Sequence, residues 1–474
     1  MKTEDRIPFA QKAAYAVGML VNNVQAAALP AMMVILNLGL KMDPRLVGII
    51  GFLPRIVDAI SDPLMGYISD NTRSRWGRRR PYIFCGALLA GLVFAGMWQL
   101  PEGYSSTFYF TVFLTASIFY FLTYTVYSTP FVAFGYEMTP DYHERTRLHA
   151  FANAVGQLAW LGVPWFYAIM ASSWFDDTVH GARVLALWVG GAIMLLGVVP
   201  ALFCRERMLP ASTNADGVPA FKGVLSNLKE FFVGMAATLS CKPFVKLCAA
   251  TFLVFNGFQL GMSFAIYVMI YYLFGGDDQP AGNLNGRFGT LTAACSLVVI
   301  PLTAYISRRI GKRETFMLTI SISIVGYAFK WVGYNPDSPY LLLVSCPMIA
   351  FGIGALFTLM GSMVSDVCDY DELNTGERRE GVFGAIYWWT VKVGMAIAGL
   401  LSGFMLTASG FDVELESQSP ETLLYLKMFD VVIPIVSSLI ALAIMYSYEI
   451  SEAKANEIRE QLDARKSSVD PVNG

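Results

Sequence analysis

The chain has 474 residues, of which 55% are hydrophobic and only 15% charged, with a formal net charge of -2. Soluble domains carry roughly 45–50% apolar and about 25% charged residues, so this composition excludes an ordinary soluble protein and points to lipid as the solvent. Seven cysteines, Cys85, Cys204, Cys241, Cys248, Cys295, Cys346 and Cys368, are scattered at spacings that match neither a metal site nor a disulfide framework, and read as reduced packing residues. With three histidines and no nucleophile–base constellation or cofactor loop, the sequence gives no reason to expect an enzyme.

In chain order, the polar start Met1–Lys12 lacks the apolar stretch of a cleavable signal, so the first apolar segment is expected to stay as a membrane span. Apolar segments then predict spans near 13–38, 46–69, 82–100, 106–135, 150–173 and 183–204. A longer connection over 205–244 follows, and then spans near 245–274, 287–308, 314–333, 340–365, 382–408 and 422–448. Pro101–Ser105, Asn335–Ser338 and Gly410–Pro420 carry no Lys or Arg. The opposite connections hold Arg73, Arg75, Arg78, Arg79 and Arg80, and Arg308, Arg309, Lys312 and Arg313. The positive-inside rule puts the basic loops and both termini in the cytoplasm, the membrane being the inner one. That rule also accounts for the basic run without nucleic acid. The tail from Glu449 reads as a charged cytoplasmic end, helical and then disordered.

The two parts of the chain echo each other. Pro63-Leu-Met-Gly-Tyr67-Ile-Ser69 ends the second span and Pro301-Leu-Thr-Ala-Tyr305-Ile-Ser307 ends the eighth, 238 positions on, each before a basic turn. Asp141-Tyr142-His143-Glu144-Arg145 and Asp369-Tyr370-Asp371-Glu372 form a second echo. The expectation is an all-α membrane protein of about twelve helices: a six-helix bundle over 1–204, a cytoplasmic loop over 205–244, a second bundle over 245–448 and a tail over 449–474. This layout resembles the major facilitator superfamily.

Ionisable residues inside a span cost about 2.5–3.5 kcal/mol each on insertion scales and mark function by default. The second span holds Arg55, Asp58 and Asp62 at i, i+3 and i+7, on one narrow helical face. Two carboxylates aimed at one point repel, so they either raise a pKa or recruit a cation. A purely structural alternative has Arg55 neutralise one of them, which leaves the other uncompensated. The eleventh span carries Lys392 after Tyr387, Trp388 and Trp389. So deep a lysine calls for a cavity or an acidic partner, for which Asp58 and Asp62 are the candidates. The tryptophans suit stacking on a sugar ring and equally suit lipid. Polar clusters in span one (Asn22, Asn23, Gln25), span four (Tyr124, Thr125, Tyr127, Ser128, Thr129) and span seven (Asn256, Gln259) line a path or join helices.

Three stretches carry a resemblance that covers essentially the whole chain. They are Arg55-Ile-Val-Asp58-Ala-Ile-Ser61-Asp62-Pro63-Leu-Met-Gly66 with Ser69-Asp70-Asn-Thr72-Arg73-Ser74-Arg75-Trp-Gly77-Arg78-Arg79-Arg80-Pro81, then Tyr142–Arg147, and Asp369–Gly381. They resemble the glycoside–pentoside–hexuronide:cation symporters, the melibiose permease family. The resemblance implies that Asp58 and Asp62 bind the coupling sodium, lithium or proton, with Thr125 and Lys392 at the same site and Arg55 as a gate or partner. It implies no cofactor beyond that ion. On the solute side, Asn23 and Ser128 stand where the family has aspartates, and Asn153 where it has an arginine. Losing acids that grip sugar hydroxyls argues against a melibiose-like galactoside and removes repulsion toward a uronate. The expected function is cation-coupled uptake of a sugar, glycoside or uronate, with Asn23, Arg55, Tyr124, Ser128, Asn256, Gln259, Trp388 and Trp389 as solute contacts. A lysolipid-type transporter and a non-transporting membrane sensor are the alternatives.

Overall fold

The computed structural model describes residues 6–72, 74–101, 103–139, 141–206, 234, 238–376 and 379–469. Arg73, Glu377, Arg378 and most of the 205–244 loop fall outside them. Every described element is a helix or turn. In order the α-helices are α1 (Phe9–Met32), α2 (Val34–Leu38), α3 (Pro44–Asn71), α4 (Arg80–Met97), α5 (Ser106–Glu137), α6 (Tyr142–Gly156), α7 (Leu158–Gly162), α8 (Phe166–Met170), α9 (Thr178–Gly197) and α10 (Val199–Phe203). Further along the chain come α11 (Lys242–Tyr267), α12 (Asp278–Ile310), α13 (Lys312–Gly333), α14 (Cys346–Thr375), α15 (Glu380–Ala408), α16 (Pro420–Tyr446) and α17 (Glu452–Val469).

Each predicted span coincides with a helix or a run of helices. Among the described residues, ten are long and apolar enough to cross a membrane. The second and fifth spans fall outside that count for separate physical reasons. In α3, Arg55, Asp58 and Asp62 interrupt an otherwise apolar helix of 28 residues. The fifth span is broken into α6, α7, a 3-10 turn at Val163–Trp165 and α8. Pro164 lies in that turn, where it has no N–H to give an α-helical ladder.

The chain divides into two compact units. The first gathers Met1–Lys229, Met269–Thr290 and Gly399–Thr422. Glycines let backbones approach closely here: a Cβ on Gly91 would lie 2.5 Å from the Gly190 carbonyl oxygen, and one on Gly403 would lie 2.2 Å from that of Pro44. Broken segments find partners in the same unit. Asn285 donates to the Pro164 carbonyl (3.1 Å), and Thr290 donates to that of Leu161 (2.8 Å).

The second unit comprises Glu230–Val268, Leu291–Ala398 and Leu423–Gly474. Its core packs Phe244, Phe316, Leu356, Leu359, Met360 and Phe383. The tail differs from a merely solvated end: Ile458 and Leu462 of α17 are buried (1% and 6% exposed). Arg465 donates to the Leu373 carbonyl (2.7 Å) in the last turns of α14, where a cation complements the helix dipole.

Candidate functional site

The site is built where α1, α3 and α5 converge in the first unit. On α5, residues four apart share a face, and Phe121, Thr125 and Thr129 form one such stripe. On α3, Arg55, Asp58 and Asp62 form the matching stripe, and the two interlock rung by rung. The Arg55 guanidinium lies 4.6 Å from the Phe121 ring centroid. One turn on, Thr125 Oγ1 donates to Asp58 Oδ1 at 2.9 Å. Another turn on, Thr129 Oγ1 donates to Asp62 Oδ1 at 3.1 Å. Asp58 is fully buried and Asp62 half-buried.

Ser61, absent from the sequence-based site, belongs to it. Its Oγ lies 3.0 Å from Thr125 Oγ1 and 3.1 Å from the Asp58 carbonyl oxygen. Because the single Thr125 proton points to Asp58, Thr125 must accept at this contact, and the Ser61 proton is shared between Thr125 and the carbonyl. Pro63 adds a further acceptor. Lacking an N–H, it leaves the Ala59 carbonyl without its helical donor, in the turn between the two carboxylates. Two carboxylates, three hydroxyls and a released carbonyl make an oxygen-rich set suited to a hard cation.

Arg55 has a backbone reason for its position. Pro30 interrupts α1 and deprives the Ala26 carbonyl of its i+4 donor. Arg55 Nη2 donates to that carbonyl at 3.1 Å, so the guanidinium ties α3 to α1 while lying over an α5 ring. Two tyrosines complete the junction: Tyr127 OH donates to the Gly18 carbonyl (3.0 Å) and Tyr120 OH to that of Gln25 (2.6 Å).

The remaining predicted residues separate by unit. In the first, Asn23 Nδ2 donates to the Gly156 carbonyl (3.0 Å), joining α1 to α6, while Tyr124 is buried and Ser128 half-buried. In the second, Lys392 and Trp389 are half-buried, and Trp388 is 56% exposed and stacked on Phe357. Asn256 Nδ2 donates to the Phe252 carbonyl (2.7 Å), and Gln259 is half-buried beside it on α11. Sequence reasoning named Thr129 among span-four polar residues without pairing it to Asp62. The signal was there, since Thr125 and Thr129 repeat the i, i+4 spacing of Asp58 and Asp62.

Comparison with known proteins agrees with this architecture. The family model for MFS/sugar transport proteins matches residues 14–452, and the chain belongs to that family. It is a membrane transport protein and not an enzyme. Among curated proteins it is similar to the glucuronide carrier protein homolog of Escherichia coli, at 25% identity over 87% of this chain and 86% of that one. It is also similar to the isoprimeverose transporter of Lactiplantibacillus pentosus, at 25% identity over 90% and 85%. Among solved structures, a D-xylose–proton symporter shares the fold with a TM-score of 0.62 and 14% identity, over 94% of this chain and 99% of that one.

Proposed function

We propose that this protein is a symporter of the cytoplasmic membrane that couples entry of sodium or a proton to uptake of a sugar, glycoside or uronate. The observation that carries the reading is the pair of rungs Thr125–Asp58 and Thr129–Asp62, two carboxylates held by hydroxyls within a span. Asp58, Asp62 and Thr125 hold the cation, with Lys392 as the counter-charge during the cycle. Arg55, Asn23, Tyr124 and Ser128 on the amino-terminal bundle, and Asn256, Gln259, Trp388 and Trp389 on the carboxy-terminal bundle, supply solute contacts. Relatives named for glucuronide and isoprimeverose support a carbohydrate solute. The basic connections support cytoplasmic termini and a division at the central loop into six-helix halves, 1–204 and 245–448.

Coupling is reciprocal: the factor by which the cation tightens solute binding is the factor by which solute tightens cation binding. The test is the melting temperature of detergent-purified protein with a panel of pentosides, glycosides, uronates and lysolipids, in sodium and in potassium. A ligand at a hundredfold excess over Kd adds about 2.7 kcal/mol of stability. The expected result is a sugar-class solute whose shift grows in sodium or, for proton coupling, at lower pH. A shift confined to lysolipids overturns the solute class, and a folded protein that responds to no ion or solute overturns the symport reading.

A further inference from the structure

Gln25 of α1 is fully buried, yet neither its amide oxygen nor its amide nitrogen has a hydrogen-bond partner among the described residues. A buried amide left unpaired is costly, by about 1–3 kcal/mol per group, and such groups in native proteins call for an explanation. Replacing it by an apolar residue would remove that cost, so a reason for keeping an amide here must be sought in what surrounds it.

Its position supplies that reason. Gly18, seven residues earlier and therefore on the same stripe of α1, faces Phe131 of α5: a Cβ there would meet the Phe131 ring at 2.4 Å. Two turns along an antiparallel neighbour, the stripe that carries Gly18 to Phe131 carries Gln25 to Tyr124, the residue before Thr125. The Tyr127 bond to the Gly18 carbonyl and the Tyr120 bond to the Gln25 carbonyl repeat the same seven-residue step along both helices. A helical side chain leans toward its own amino terminus, which in α1 moves the Gln25 amide further into the layer of Thr125. Across that layer lies Asp58, held by Thr125 and, like Gln25, fully buried. The next residue of α1, Ala26, is bonded by Arg55, one turn before Asp58 on α3. Gln25 thus stands at the junction of the three helices that form the cation site, on the one helix that contributes no carboxylate or hydroxyl to it.

We infer that Gln25 is a further residue of the cation site: its amide oxygen is a neutral ligand for the coupling metal ion, and its amide nitrogen donates to the Asp58 carboxylate. An amide is the side chain that can do both at once, because it carries an acceptor and a donor on one rigid plane. A bound proton needs no such extra oxygen, whereas a sodium or lithium ion takes several. Gln25 therefore sets the preference of the site for an alkali cation. This rests on the reading of Asp58 as a cation ligand, and the experiment separates the two.

Thermal melts of purified wild type, Gln25→Leu and Asp58→Asn are recorded in sodium, lithium or choline chloride at equal ionic strength. For Gln25→Leu we expect at least a tenfold rise in the half-saturating sodium concentration, with a melting temperature in choline no lower than that of wild type. A packing role predicts the opposite pattern, a lower melting temperature in choline and an unchanged sodium response, and that result overturns the inference. If Asp58→Asn loses the response while Gln25→Leu keeps it, Gln25 is no ligand and the reading of Asp58 stands. If both keep it, or wild type has none for either metal ion, both the inference and the sodium form of the reading fall.

Discussion

The sharpest energetic prediction concerns a charged cluster remote from the α3 carboxylates in sequence. In the second unit, Lys330 of α13 and Asp430 of α16 form an ion pair at 2.6 Å, with 2% and 0% of their side chains exposed. Tyr334 OH donates to the other Asp430 oxygen. Lys427 lies 4.6 Å over the Trp331 ring and 3.5 Å from the Tyr334 carbonyl oxygen. Removing one partner of a buried pair costs about 3–5 kcal/mol, whereas replacing both by apolar residues is neutral or better. Lys330→Met should fall at the low end, because Lys427 stands three residues from Asp430 on the same helix. Asp430→Leu, which leaves two buried lysines behind, should fall at the high end. The double variant still strands the Tyr334 hydroxyl, a loss of about 1–3 kcal/mol. Adding Tyr334→Phe should bring the triple variant back to within about 1 kcal/mol of wild type, since volume-conserving apolar swaps are tolerated best. Equilibrium unfolding in a detergent series measures all four. A double variant that loses as much as the two singles summed would refute the reasoning, because the partners would then act independently.

Two further perturbations probe the contacts of the chain's two end segments. Glu144 accepts from Lys12 Nζ (2.6 Å) and the Ile7 N–H (3.1 Å), and the Lys12 hydrogen bond outweighs burial to hold its carboxyl below the usual range. A lowered carboxyl stabilises the tether above its unfolded value, about 4.3, and the contribution is lost as pH falls through the folded value. A spin label at Arg6→Cys should therefore be immobile at neutral pH and mobilise only once the pH has fallen below the ordinary glutamate range, whereas Glu144→Gln should mobilise it at every pH. Ile458→Asp with Leu462→Asp should undock α17, and Cys368, a member of the core cluster against which Ala455 of α17 packs, should then react with maleimide in a variant lacking the other six cysteines. Unchanged labelling in a variant of normal stability would show that α17 does not shield that thiol.

Much of this was legible in the sequence, for identifiable reasons. Apolar runs located the spans because backbone polarity forces helices in lipid. Asp58 and Asp62 stood out because carboxylates are rare and costly there. The same rule applies to Lys330, Lys427 and Asp430, which no recognisable motif marks although Asp430 lies eight residues into its span. Contacts between helices were not legible. Nothing local announces that Thr129 serves Asp62, or that Arg55 serves the Ala26 carbonyl, 29 positions away and released by Pro30. Ser61 and Gln25 look like ordinary polar residues until burial and partners are known. The fifth span was expected unbroken near 150–173; Pro164 marks the turn at Val163–Trp165, but the repair of the break by Asn285 and Thr290 had no local signal.

The central claim is that solute uptake is driven by a cation bound at Asp58. The most direct measurement is uptake of the solute found by the melting screen into proteoliposomes, under an imposed sodium or proton gradient, for wild type and Asp58→Asn. The account predicts gradient-driven accumulation by wild type and its loss in Asp58→Asn, with the variant still inserted and folded. Accumulation by Asp58→Asn at the wild-type rate would contradict it.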